Sequence, residues 1–124
     1  MGRRWGLTEA EWFEARAALA VLLDRAARSR STVTYSEAAL AAFGGRFSAR
    51  SGALMDLLGE VDRDAWDATG LMPASLVVRK DSGIPGEGYF RFIGDELGVP
   101  AEEQEEFWRR EVLRVWLAAG RWRE

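Results

Sequence analysis

The sequence contains no cysteine and no histidine. The first absence removes disulfides, thiolate nucleophiles and thiolate metal sites together. The second removes imidazole acid–base chemistry near neutral pH, histidine-dependent triads and imidazole metal ligation. The remaining catalytic groups are carboxylates, Lys, Tyr, Ser and Thr, and no constellation of them stands out. No catalytic residue, metal site or cofactor is therefore expected. No apolar run approaches the roughly 20 residues that span a bilayer. The opening Met1-Gly2-Arg3-Arg4-Trp5 has two arginines but no apolar signal core, because Glu9, Glu11 and Glu14 interrupt the stretch behind it. A cytoplasmic protein with no membrane partner is the expectation. A basic balance is lacking too: net charge is −3 and the pI is about 5.1, which counts against strong non-specific DNA binding.

What is present reads as one domain over residues 1–124, at 48% hydrophobic and 30% charged. The 6 tryptophans offer large areas for a core, and any exposed ones would suggest an interface. Thr8-Glu9-Ala10-Glu11 is a capping box, with Leu7 placed to staple against Trp12. Trp12, Ala15, Leu19, Leu22 and Ala26 recur at helical spacing, predicting a helix to about Arg28. A second box, Thr34-Tyr35-Ser36-Glu37, opens a short helix that Gly44-Gly45 should stop. Ser48 is then expected to cap a third helix carrying Leu54, Leu57, Leu58 and Val61 inward. Helix, glycine turn, helix is the outline of a helix-turn-helix.

Beyond Gly70 and Pro73, Leu76-Val77-Val78 suits a strand. A turn-rich stretch from Lys80 to Gly88 precedes Tyr89-Phe90, so a hairpin or wing is expected there. Phe92, Ile93 and Leu97 suggest a short helix ending at Gly98. A last helix is predicted from Pro100, with early glutamates, late arginines and a stripe of Trp108, Val112, Val115 and Ala119. Gly120 would close it, leaving residues 121–124 as a tail. The fold class expected is mostly α with a small β wing, a winged helix-turn-helix-like core flanked by long N- and C-terminal helices.

Several motifs occur in a shared order: Val33-Thr34-Tyr35 with Ala38, then Gly45, Ala49-Arg50, Pro73-Ala74-Ser75-Leu76-Val77-Val78, and Gly88-Tyr89. In that order they resemble the winged-helix domain of the O6-alkylguanine-DNA alkyltransferases and alkyltransferase-like proteins. The resemblance spans Val33 to Tyr89, with the winged-helix-like segment at about 33–93. It implies a DNA-binding module in which Arg50 matches the arginine that fills the stack when a base is extruded. Tyr35 matches the tyrosine near the extruded nucleotide's phosphate. The alkyl-accepting Cys would match Ala74 and its activating His would match Ser75, so alkyl transfer is excluded. The alkyltransferase-like branch usually carries Trp at the first position, and Ala74 departs from that as well.

Each candidate residue also has a plainer reading. Arg50 could be a solvated arginine early in a helix, and Tyr35 a first-turn aromatic packed on the core. Arg79 and Lys80 stand where a wing begins, suited to phosphate contact or to an ordinary charged tip. The glycines from Gly83 to Gly88 lack a Walker lysine and read as turn residues. Asp56, Glu60 and Asp64 recur four apart, which suits Mg²⁺ only if another segment supplies ligands. Otherwise they form a solvated helix face. From Asp56 to Asp67 there are five acids and one arginine, which favours a protein partner. The residues expected to contact nucleic acid are Tyr35, Arg46, Ser48, Arg50, Arg79 and Lys80. Two functions are open: a non-catalytic nucleic-acid-binding module docking helix three in a groove, or a protein-interaction domain using an acidic surface.

Overall fold

Helix α1 (Glu9–Arg28) begins where reciprocal capping begins: Thr8 Oγ accepts from the Glu11 N–H at 3.1 Å, and the Glu11 carboxylate accepts from the Thr8 N–H at 2.8 Å. Leu7 and Trp12, on either side of this cap, are both buried. Along the helix Ala15, Leu19, Leu23 and Ala26 carry the same stripe into the core. These features come from a computed structural model of the chain, which describes residues 4–118. Ala119, Gly120 and the expected tail lie outside the described residues.

After a polar turn the chain forms β1 (Val33–Thr34), and Thr34 caps α2 (Tyr35–Phe43) through the second box with Glu37. Gly44 ends α2 in the left-handed region, φ +59°, which favours a residue without Cβ. The third helix, α3 (Gly52–Thr69), is capped by Ser51 rather than Ser48. Ser48 Oγ instead accepts from the Arg50 N–H within the preceding turn. The reason is register. A helix begun at Ser48 would place Arg50 and Ser51, four and three residues before Leu54, on the face where Leu54 is wholly buried. Arg46 and Arg50 thus both precede the helix.

The expected strand at Val77–Val78 (β2) is present, but its partner is β1, in parallel register with Val33 opposite Val77 and Thr34 opposite Val78. A hairpin with Tyr89-Phe90 does not form. Those residues belong to α4 (Glu87–Leu97), where Tyr89 and Ile93 are buried one turn apart. A short apolar run fits either period, and here burial at i and i+4 selects the helix. The segment between is a closed turn, with Arg79 N–H bonded to Ile84 O and Gly83 N–H to Arg79 O. Pro100 flanks a single 3₁₀ turn, Ala101–Glu103, and α5 (Gln104–Ala118) starts only after it.

The fold is therefore mostly α with one small β element, flanked by long N- and C-terminal helices. Among the described residues no helix is long and apolar enough to cross a membrane. Leu19, Leu23, Leu54, Leu57, Met72, Leu76, Ile93 and Val115 form its fully buried centre. Through that centre passes a 3₁₀ turn, Pro73–Leu76, itself entirely buried. Backbone donors so placed need partners, and two carboxylates supply them. Glu111 of α5 accepts from the Met72 N–H and Asp62 of α3 accepts from the Ala74 N–H, each at 2.8 Å.

Candidate nucleic-acid interface

Four of the six residues expected at the interface meet in one place. Tyr35, Arg50, Arg79 and Lys80 line a cleft of about 500 Å³ between the start of α2, the loop before α3 and the turn after β2. Met55 and Gly86 complete its wall. Arg50 and Lys80 are exposed and make no ion pair among the described residues. Arg79 reaches Asp81 at 3.2 Å across the surface, a contact that costs little to exchange for another anion.

Tyr35 anchors this arrangement. Its phenolic oxygen accepts from the Gly86 N–H at 2.8 Å and so ties the start of α2 to the start of α4. Burial pushes its pKa above the ordinary phenol value, with the Gly86 bond opposing. The hydroxyl is therefore protonated at neutral pH and keeps its own O–H to donate.

Arg46 and Ser48 do not join the cleft. Arg46 turns toward α1, with long contacts to Glu11 (3.5 Å) and to the carbonyl of Gly6 (3.4 Å). Ser48 is occupied in its turn with Arg50.

A second cleft of about 370 Å³ adjoins the first and shares Tyr35, Met55 and Gly88 with it. Ala74 lies on its wall, and Ser75 behind it is fully buried with its hydroxyl 2.7 Å from that of Tyr89. The positions that the resemblance matches to a nucleophile and its base thus hold a methyl group and an occupied hydroxyl. Asp62 also faces this cleft. Burial raises its pKa to about 8, against the Ala74 hydrogen bond and with help from the nearby Glu111 charge. Glu111 is raised as well, by burial first, with the Met72 N–H and Arg114 opposing.

Sequence reasoning missed both buried acids, although their spacing carried a signal. Asp62 falls four residues after Leu58 and three before Ala65, and Glu111 falls three after Trp108 and four before Val115, each on an inward stripe. The acidic stripe Asp56–Glu60–Asp64 is exposed at Asp56 and Asp64, as expected of a solvated face, but it is paired rather than free. Glu60 accepts from Arg4 at 2.6 Å, Arg16 at 3.0 Å and the Trp12 indole at 3.1 Å. Asp64 pairs with Arg16, and Asp56 accepts from the Trp5 indole at 2.7 Å. Burial pushes the Glu60 pKa up, but its hydrogen bonds to Arg4 and Trp12 and the Arg4 and Arg16 charges outweigh that, and the net shift is downward. The stripe bonds the N-terminal segment to α3, which leaves less acidic surface for a partner. Among the described residues no three carboxylates converge as a metal site. Comparison with family models, with curated proteins and with solved structures finds no match for this chain.

Proposed function

We propose that the domain binds nucleic acid without performing covalent chemistry, in a cytoplasmic setting. The reading is carried by one observation: Arg50 and the Arg79–Lys80 pair, far apart in sequence, converge on a single cleft with Tyr35. Two cations there lack carboxylate partners among the described residues, so phosphate oxygens would meet donors that need not first break an ion pair. The resemblance to the alkyltransferase winged helix points the same way, with Ala74 removing the transfer step. In this reading phosphates contact the loop before α3 and the turn after β2. Helix α3 itself is a poor groove-reading element, because its outer stripe is acidic and occupied by Arg4, Trp5 and Arg16. With about three cations engaged, binding should be weak, micromolar or poorer at physiological salt. Fluorescence anisotropy of labelled oligonucleotides at low salt tests it, and binding indifferent to Arg50, Arg79 and Lys80 would defeat it.

A protein partner is the second reading. The observation favouring it is the set of large apolar side chains at the surface, Phe13, Leu40, Leu113 and Leu117, each more than half exposed. Surfaces of that kind, rather than the acidic stripe, would carry such an interaction. Replacing Leu113 and Leu117 by Ser would abolish it and leave oligonucleotide binding untouched.

A further inference from the structure

Trp5 is held in place more firmly than its burial warrants. Its backbone lies in the left-handed region at φ +57°, which residues other than glycine rarely adopt. The hook is closed by paired bonds between Arg4 and Leu7. Arg4 is itself fixed between Glu60 and the Trp12 ring, 4.1 Å from its centroid. The Trp5 indole N–H is bonded to Asp56. Its benzene edge lies against Gly52, the first residue of α3, where a methyl group would overlap the ring. Yet Trp5 remains 49% exposed, whereas Trp12 and Trp108 are 6% and 8%. A core-filling role would bury the ring, as it does in those two.

The surroundings identify what such a ring is for. Gly52, under the ring, is two residues beyond Arg50, and Gly6, beside it, has its carbonyl against Arg46. The exposed ring thus packs on the start of α3, two residues along the chain from Arg50, which lines the cationic cleft. Aromatic faces interleaved with cations suit single strands, because every base has a face to stack and a phosphate to pair. We propose that Trp5 is a stacking platform for an unpaired nucleobase, with the neighbouring phosphates held by Arg50 and the cationic cleft it lines, so that the domain prefers single-stranded nucleic acid to duplex. This rests on the nucleic-acid reading above and adds the class of strand.

The test compares a fluorescein-labelled single-stranded 12-mer with the duplex of the same sequence at low salt. Stacking is worth about 1–3 kcal/mol per base, so Trp5→Leu should weaken single-strand binding at least about fivefold and duplex binding less than about twofold. Trp5→Phe should retain most of the single-strand affinity. Arg50→Ala should weaken both. If Trp5→Leu binds the single strand as the parent does while Arg50→Ala does not, the platform is wrong and the cationic cleft stands. Equal loss on both strands, unrestored by Trp5→Phe, assigns Trp5 a structural role and also overturns it. No binding by the parent overturns both readings. Photo-crosslinking of an iodouracil-containing single strand to the unaltered protein gives a readout free of folding effects. Peptide mapping should place the adduct at Trp5, and an adduct confined to other segments would refute the assignment.

Discussion

Asp62 and Glu111 reach the same buried turn from two different helices, one receiving the Ala74 N–H and the other the Met72 N–H. Only Pro73, which has no N–H, lies between the two donors. The pair caps a buried turn, and burial makes the charged form of either acid costly.

That cost has a pH dependence. Asp62 has a pKa near 8 in the folded protein against 3.8 ordinarily, so between those values the folded state holds a proton that the unfolded chain has lost. Stability should fall across that window as pH rises, by up to about 1.4 kcal/mol per unit from this group. Glu111, shifted the same way, adds to the trend. Asp62→Asn keeps a carbonyl for the Ala74 N–H and removes the titration. Urea unfolding at pH 5, 7 and 9 should give a flatter profile for the variant, and parallel profiles would refute the assignment.

Gly52→Ala tests the contact under Trp5. Alanine favours helix over glycine by about 1 kcal/mol, yet here its methyl group collides with the indole. We expect a net loss of about 1–2 kcal/mol, as for other overpacked sites. In the Trp5→Ala background the same change should become neutral or stabilising. A double-mutant cycle read by thermal melting separates the two terms, and additive effects would show that the ring and Gly52 are independent.

Tyr35→Phe deletes the acceptor of the Gly86 N–H. An unsatisfied, partly buried donor costs about 1–2 kcal/mol, and amide exchange at Gly86 should quicken. Oligonucleotide affinity should change less than threefold, since the ring stays on the wall of the cleft. A tenfold loss with unchanged stability would instead make the hydroxyl a ligand contact.

Salt dependence measures the number of cations engaged. For duplex DNA each neutralised phosphate contributes about −0.9 to the slope of log K against log salt, and for a single strand about −0.7. A slope of about −2 to −3 is expected for Arg50, Arg79 and Lys80 together. Arg79→Ala or Lys80→Ala should each flatten it by about one contact without altering sequence preference. A slope unmoved by all three would place the phosphates elsewhere.

Much of the fold was legible because its signals are local. The boxes at Thr8–Glu11 and Thr34–Glu37 each lie within one turn, and both helices start where they say. The strand at Val77–Val78 was legible for the same reason, but its partner was not, since nothing near it in sequence specifies β1. Ser48 and Ser51 are chemically equivalent caps, and only the burial of Leu54 decides between them. At the site, Arg50, Arg79 and Lys80 were each singled out by position, but their meeting in one cleft depends on the parallel strand pairing and the turn after β2, which no local pattern specifies. The inward acids and the Trp5 hook were not singled out, because charge in a helix and a tryptophan near a terminus each have a commoner explanation.

The parallel pairing of Val33–Thr34 with Val77–Val78 encloses α2, α3 and the buried turn within one long loop. Such a loop is entropically expensive to close, and few local contacts repay it early. The capped helices can form on their own timescale, whereas the strand contact must wait until they dock. Refolding should accordingly be limited by the docking of these helices, with the strand contact closing after it. Weakening Val77 would then mainly speed unfolding and leave the folding rate little changed, as for contacts formed after the transition state.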